Sequence, residues 1–192
     1  MRFSLLGLSI VLALSFALFS LAEGAAPSLC DGLTPTHVGT EGPDTIIGTD
    51  GPDVILGLGG NDTLKGNRGA DIICGGEGQD FIQSGLGEDM IEGGPAKDHL
   101  KGDAQGDMIF GGDGDDVLDG GGGDDVMYGE EGNDSFVGEG GADDLYGGPG
   151  NDILNGGSGN DLLDGGENFD RLKGSSGIDI CLNGESFNSC EL

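Results

Sequence analysis

Aspartate recurs at every ninth residue from Asp44 to Asp179 without an insertion, and this spacing constrains the fold more than any other feature. Sixteen consecutive phrases of nine residues share the register. An apolar residue stands two positions after each aspartate, from Ile46 to Cys181. Glycine stands five positions before each aspartate, with Ser84 as the one exception. A strict short period of this kind predicts a stack of similar units, each of which contacts only its neighbours.

One phrase combines a turn with a short strand. Its glycine-rich half permits positive φ angles and close approach of the backbone, while the residues after aspartate alternate outward, inward and outward. A strand this short is not stable alone, so we expect each phrase to stack on copies of itself. The inward apolar residues then form a core only one side chain thick per phrase.

The pattern GGxGxDxUx, in which U is a large apolar residue, resembles the calcium-binding nonapeptide of the RTX, or haemolysin-type, repeat proteins. Its clearest copies begin at Gly75, Gly111, Gly147 and Gly156, and the resemblance covers about residues 39–183. It implies an all-β fold, a right-handed parallel β-roll of about eight coils with two phrases per coil. It also implies that Ca²⁺ is bound between phrases one coil apart, at up to 16 − 2 = 14 positions.

The repeat aspartates are the candidate metal ligands: Asp44, Asp53, Asp62, Asp71, Asp80, Asp89, Asp98, Asp107, Asp116, Asp125, Asp134, Asp143, Asp152, Asp161, Asp170 and Asp179. A lone aspartate often closes a turn through its own hydrogen bonds, but sixteen in one register favour a metal. The weakest sites are those in which Ala96, Gln105 or Asn168 replaces the glycine two residues before aspartate.

Stacking at an 18-residue period places each carboxylate ~5 Å from the next, where the two charges repel unless a cation lies between them. Ca²⁺ accepts six to eight oxygen ligands in flexible geometry, whereas Mg²⁺ demands a tighter octahedron. Zn²⁺ favours His or Cys, and the chain has only His37 and His99 as histidines. Because the core is thin and the chain is rich in glycine, we expect folding to depend on calcium.

The net charge excludes some classes of partner, and the N-terminal sequence indicates where the protein is located. The 36 acidic and 7 basic residues give a formal net charge of −29, which excludes nucleic acid as a partner and disfavours anionic membranes. Residues 1–22 predict a secretory signal peptide, with Arg2 before an apolar run and Ser20 and Ala22 before the cleavage point. We therefore expect an extracellular protein with an N-terminal cap at 23–38, the roll at 39–183, a C-terminal cap at 184–192 and no membrane span after cleavage.

Four cysteines in an exported chain predict two disulfides, for which three connectivities are possible. Cys181 occupies an inward position of the last phrase, where the tail can fold back and bring Cys190 to it. Cys74 points outward, within reach of the N-terminal segment that carries Cys30. The predicted pairs are Cys181–Cys190 and Cys30–Cys74.

Neither HExxH nor GxSxG occurs in the sequence, and the repeats leave few residues for a catalytic domain. We therefore expect a calcium-binding protein that is not an enzyme. The second candidate class is an extracellular matrix or adhesion protein in which calcium is purely structural. A free-standing enzyme is a weaker third class.

The outer faces of the two expected sheets differ. The face built by odd phrases is largely polar, while the face built by even phrases is mostly apolar. Met108, Phe110, Val126, Tyr128 and Tyr146 form a predicted patch on three neighbouring coils of the even face. The patch predicts self-association or a protein partner. The alternative is that residues with high β-propensity are simply favoured beside the turns.

Overall fold

The computed structural model describes residues 29, 30 and 32–190. The predicted signal peptide and residues 23–28 and 31 of the predicted N-terminal cap lie outside these residues. Within the described part of the chain, every regular element is a β-strand, and no helix there is long and apolar enough to cross a membrane.

Eighteen strands alternate between two sheets. They are β1 His37–Val38, β2 Thr45–Ile47, β3 Val54–Gly59, β4 Thr63–Arg68, β5 Ile72–Glu77, β6 Phe81–Leu86, β7 Met90–Glu92, β8 His99–Ala104, β9 Met108–Phe110, β10 Val117–Gly122, β11 Val126–Tyr128, β12 Ser135–Gly140, β13 Asp144–Pro149, β14 Ile153–Ser158, β15 Leu162–Glu167, β16 Arg171–Ser176, β17 Ile180–Leu182 and β18 Ser186–Asn188. The odd-numbered strands form one nine-stranded sheet and the even-numbered strands form the other.

All the strand pairs are parallel, and within the repeats each residue lies beside the residue 18 positions away. Leu118, for example, pairs with Leu100 on one side and with Phe136 on the other. Two phrases therefore make one coil, and sixteen phrases make eight coils. This arrangement confirms the parallel β-roll that the resemblance to RTX repeats implies.

Each repeat strand from β4 to β17 begins directly after its aspartate because the residues before it form a turn with positive φ angles. In the turn before β10, Gly112 has a φ of 106° and Gly114 a φ of 154°. Both values lie where a Cβ atom causes steric strain. Glycine at these two positions therefore sets the point at which the chain turns from one sheet to the other.

The core is a double column of apolar side chains between the sheets. Members from Ile55 to Cys181 are at most 4% exposed. Ile46, in the first coil, is only partly buried and packs against the end of this column. Its greater exposure follows from its position, because an end coil has a neighbour on one side only.

Two strands outside the sixteen phrases cover the ends of the sheets. β1 pairs with β3, with His37 beside Ile55, and β18 pairs with β16, with Asn188 beside Lys173. They lie in the segments 23–38 and 184–192, for which the sequence predicts caps without predicting strands.

Both predicted disulfides are present. Cys30–Cys74 joins the N-terminal segment to β5, and Cys181–Cys190 joins the C-terminal tail to β17. Each bond fixes an end segment onto the roll, the first at β5 in the second coil and the second at β17 in the last coil.

Candidate metal centres

One oxygen of each carboxylate from Asp62 to Asp179 has a fixed partner. Oδ1 accepts a hydrogen bond from the backbone N–H of the aspartate one coil earlier, at 2.7–3.1 Å in all fourteen cases. The N–H of Asp80, for instance, donates to Oδ1 of Asp98 at 2.7 Å. This ladder orients every carboxylate in the same way along the stack.

The second oxygen of the same fourteen aspartates is buried and has no hydrogen-bond partner among the described residues. An isolated buried carboxylate is strongly unfavourable, because it loses its hydration without gaining a compensating charge. The affected residues are Asp62, Asp71, Asp80, Asp89, Asp98, Asp107, Asp116, Asp125, Asp134, Asp143, Asp152, Asp161, Asp170 and Asp179.

A carbonyl oxygen from the neighbouring coil faces the same space as this second oxygen. A Cβ atom built on Gly93 would lie 2.5 Å from Asp98 Oδ2 and 2.6 Å from the carbonyl oxygen of Gly111. Both distances are shorter than a Cβ atom tolerates. The glycine five residues before aspartate is therefore required because any side chain there would fill the space between a carboxylate and a carbonyl.

Ser84 is the exception at this position. It is fully buried, and its hydroxyl donates to the carbonyl oxygen of Gly102 at 2.9 Å. A side-chain oxygen thus stands beside the carboxylate of Asp89, the aspartate that follows Ser84 by five residues.

The electrostatics of the stack disfavour so many bare carboxylates. Burial, and to a smaller degree the carboxylates one coil away, raises the pKa of Asp98 and of Asp107 to about 8, although the backbone hydrogen bond acts in the opposite direction. The same causes raise the pKa of Asp116 and of Asp125 to about 7. The middle of the roll is therefore where a cation or a proton would stabilise the carboxylates most.

The available donors are oxygens. In the described part of the chain, no three His, Cys, Asp or Glu side chains converge on one point. The carboxylates therefore need backbone carbonyls to complete a coordination shell, a combination that suits Ca²⁺ and not Zn²⁺. His99 instead lies against the ring of Phe81, with the ring centroids 5.1 Å apart.

The first two aspartates differ from the other fourteen. Asp44 Oδ2 accepts from the Thr40 N–H at 2.6 Å and from the Thr40 hydroxyl at 2.8 Å. Asp53 Oδ2 accepts from the N–H and hydroxyl of Thr49 at 2.6 and 2.9 Å, and its Oδ1 accepts from the Thr36 hydroxyl at 2.8 Å. Burial acts to raise the pKa of Asp53, but these hydrogen bonds outweigh it and lower the pKa.

The sequence contains a signal for this difference, although the nine-residue repeat pattern does not include it. Only the first two phrases read T-x-G-P-D, with Thr40 and Pro43 in one and Thr49 and Pro52 in the other.

The three phrases that lack glycine two residues before aspartate still have a positive φ at that position. Ala96, Gln105 and Asn168 have φ angles of 86°, 73° and 83°. These residues adopt the left-handed conformation at some steric cost. The aspartates that follow them, Asp98, Asp107 and Asp170, accordingly retain the same buried, unpartnered oxygen.

The C-terminal tail completes the last sites with residues outside the repeat register. Glu185 accepts from the N–H of Asp170 at 2.6 Å, the role that an aspartate plays elsewhere in the ladder. A Cβ atom built on Gly165 would lie 2.5 Å from Asp170 Oδ2 and 2.6 Å from the carbonyl oxygen of Asn183. Glu185 escapes the repeat pattern because it follows Asp170 by fifteen residues instead of eighteen.

The apolar patch predicted on the even-phrase face is present as a stack of side chains. In the structure this face belongs to the odd-numbered strands β9, β11 and β13. The rings of Phe110 and Tyr128 are stacked with centroids 5.2 Å apart, and those of Tyr128 and Tyr146 with centroids 4.9 Å apart. Met108 and Val126 lie side by side in the adjacent column. All five side chains are half-buried by their neighbours.

A family model for the RTX calcium-binding nonapeptide repeat matches residues 38–73, 66–100, 75–109, 101–136 and 137–172. A comparison with curated proteins finds no match. The matched segments extend over most of the chain and coincide with the phrases whose aspartates form the buried stack. The chain therefore belongs to the family of RTX calcium-binding nonapeptide repeat proteins.

Proposed function

We propose that this chain is a secreted protein whose turns bind several Ca²⁺ ions between stacked coils and that it folds on binding them. One observation carries the proposal: fourteen buried carboxylate oxygens have no hydrogen-bond partner among the described residues. A polar atom in that situation destabilises the fold unless a cation or a proton compensates it. At neutral pH a hard divalent cation provides that compensation at each of these fourteen turns.

The proposed ligands are the carboxylates from Asp62 to Asp179, together with carbonyls of the neighbouring coil such as that of Gly111. The Asp ladder holds each carboxylate in place through Oδ1 and leaves Oδ2 directed into the turn. Calcium, when bound, supplies positive charge between coils that otherwise repel each other. Binding free energy then becomes folding free energy, because no site exists in the unfolded chain.

Secretion is part of the same proposal. An apolar N-terminal segment with the features of a signal peptide supports it, and so do two disulfides, which persist in oxidising compartments. An extracellular medium also supplies millimolar calcium, which permits weak sites to fill.

A calcium titration followed by circular dichroism tests the proposal. Chelated protein should lack most of the β signal, and millimolar Ca²⁺ should restore it in a cooperative transition, while Mg²⁺ at the same concentration should not. Equal β content in chelator and in calcium would overturn the proposal.

A second candidate function is an extracellular matrix or adhesion role with purely structural calcium, and in both candidates the chain is proposed not to be an enzyme. The stacked rings of Phe110, Tyr128 and Tyr146 favour this second candidate, because contiguous apolar surface on a highly charged chain is typical of contact sites.

The test compares the two faces. Changing Phe110 and Tyr128 to Ser should abolish association seen by sedimentation while calcium-induced folding persists. The matched control changes Phe81 and Ile153, exposed on the opposite sheet, to Ser and should leave association intact. A wild-type protein that stays monomeric and captures no partner in calcium would refute a contact role.

A further inference from the structure

We infer that the first coil is closed by threonine in place of calcium, so that Asp44 and Asp53 bind no ion and the N-terminal end forms a calcium-independent base for the roll. The inference rests on the proposed calcium binding by the remaining fourteen phrases. It assigns a structural role to Thr40 and Thr49, which the repeat pattern leaves unexplained.

The first argument is that these two carboxylates already have donors at the oxygen that is unpartnered elsewhere. Thr40 and Thr49 each supply an N–H and a hydroxyl to Oδ2, at 2.6–2.9 Å. At Asp53 the other oxygen is also occupied, by the Thr36 hydroxyl. Calcium binding at Oδ2 would have to displace two charge-assisted hydrogen bonds, which are stronger than those between neutral groups.

The second argument is that the backbone of these two turns differs from the rest. In the other fourteen phrases the residue four positions before aspartate has a positive φ, as in Leu58 at 80°, Glu130 at 72° and Ser175 at 82°. Thr40 and Thr49 do not have this conformation. Their N–H groups consequently point at their own aspartate, whereas the N–H of Gly76, in a repeat turn, donates to a carbonyl of the next coil at 3.0 Å.

The third argument concerns the residue directly before aspartate. In later phrases its N–H donates to a side chain one coil earlier, as from Asn133 to Asp115 Oδ1 at 2.9 Å and from Asn151 to Asn133 Oδ1 at 3.0 Å. The first two phrases carry Pro43 and Pro52 there. Within the described part of the chain, no earlier coil exists at this end of the stack to accept such a hydrogen bond. Because proline has no N–H, these two phrases carry no donor that would be left without an acceptor.

The fourth argument is that the N-terminal end is attached by bonds that involve no cation. The Cys30–Cys74 disulfide fastens the preceding segment to β5. β1 adds a strand beside β3, and the N–H of Leu29 donates to Glu92. Cys74 and Glu92 belong to later coils, so in the calcium-free protein β1 and the two threonine turns are what keep the first coil ordered.

Counting bound ions by native mass spectrometry tests which aspartates bind. Asp53→Asn should retain the wild-type number of Ca²⁺ ions. Asp134→Asn, in one of the turns proposed to bind calcium, should lose at least one. Equal losses from the two variants would overturn the inference. A wild type that binds no Ca²⁺ would instead refute the proposed function, and the exchange experiment below then decides the inference.

Hydrogen exchange in excess chelator tests the calcium-independent base. The amides of Thr40 and Thr49 should exchange at least about tenfold more slowly than those of the turns near Asp107. Thr40→Val with Thr49→Val should reduce this protection, because each turn loses its hydroxyl donor and keeps only the N–H, while Thr63→Val, at an outward position of β4, should not. Absence of protection in the wild type, or an undiminished protection in the double variant, would contradict the inference.

Discussion

Asp53, in the first coil, and Asp107, near the middle of the roll, are buried to nearly the same degree, with 4% and 2% of their surface exposed. Hydrogen bonds from Thr49 and Thr36 lower the pKa of Asp53 against the effect of burial. Burial raises the pKa of Asp107 to about 8, and the neighbouring carboxylates contribute to the rise. The repeat motif thus buries a carboxylate in both places, and the residue four positions before it decides whether the protein itself satisfies the charge.

Calcium removal should produce the largest difference between these regions. Each site filled at 1,000 times its dissociation constant contributes about 4 kcal/mol to folding, so chelation should unfold the coils that contain Asp62 to Asp179. The first coil should stay ordered. Hydrogen exchange resolved by segment measures this directly, and uniform retention of protection across the roll would contradict the expectation.

The pH dependence of the calcium-free protein should have opposite signs in the two regions. The folded-state pKa of Asp98 and Asp107 is about 8, above the ordinary value of 3.8, so their contribution to stability is present below about pH 4 and is lost as the pH rises through about 8. Asp53 has a lowered pKa, so its contribution to stability is present at pH values above the ordinary carboxyl pKa of 3.8. This contribution is lost as the pH falls through the lowered pKa.

Circular dichroism of the chelated protein at the two pH values checks this sign, because the β signal that remains without calcium reports how far the roll is folded. The roll without calcium should be more stable at pH 5 than at pH 8, while added calcium should reverse the order, because protons compete for its ligands. A stability that rises with pH in chelator would show that the interior carboxylates are satisfied in some other way.

The effect of Asp107→Asn on the free energy of unfolding should change sign when calcium is added, whereas the effect of Asp53→Asn should not. In calcium, loss of the Asp107 charge should cost about 4 kcal/mol, the contribution of a well-filled site. In chelator the same change should stabilise the fold, since the amide removes a buried charge and can donate to the Gly120 carbonyl. Asp53→Asn should cost about 1–2 kcal/mol in both conditions, because it weakens hydrogen bonds to a charged group.

The two disulfides allow a smaller comparison of the ends. Chain-entropy arguments give about 4 kcal/mol for Cys30–Cys74, which spans 44 residues, and about 3 kcal/mol for Cys181–Cys190, which spans 9. Replacing the first pair by Ser should therefore lower the free energy of unfolding more than replacing the second. Equal losses in urea unfolding would show that local contacts outweigh loop length.

The nine-residue repeat determines most of the roll once two phrases make one coil, as the resemblance to RTX repeats implies, because each residue then has a fixed neighbour 18 positions away. That rule predicts the two sheets, the buried column from Ile55 to Cys181 and the alignment of the aspartates. It also places Phe110, Tyr128 and Tyr146 on one face, where the structure shows them stacked. The register also places Cys181 inward and Cys74 outward, which favours the two disulfide pairs that form, although Cys30 and Cys190 lie outside it.

The tertiary structure alone decides what happens where the periodic neighbour is missing. Thr36 reaches Asp53 from outside the repeats, and Glu185 replaces an aspartate after fifteen residues. Only the tertiary structure shows that the threonine turns supply both donors to one carboxylate oxygen, while fourteen equivalent oxygens have none among the described residues. The physical reason is that a repeat specifies contacts between identical units, whereas the end of a stack must satisfy its polar groups with residues that belong to no unit.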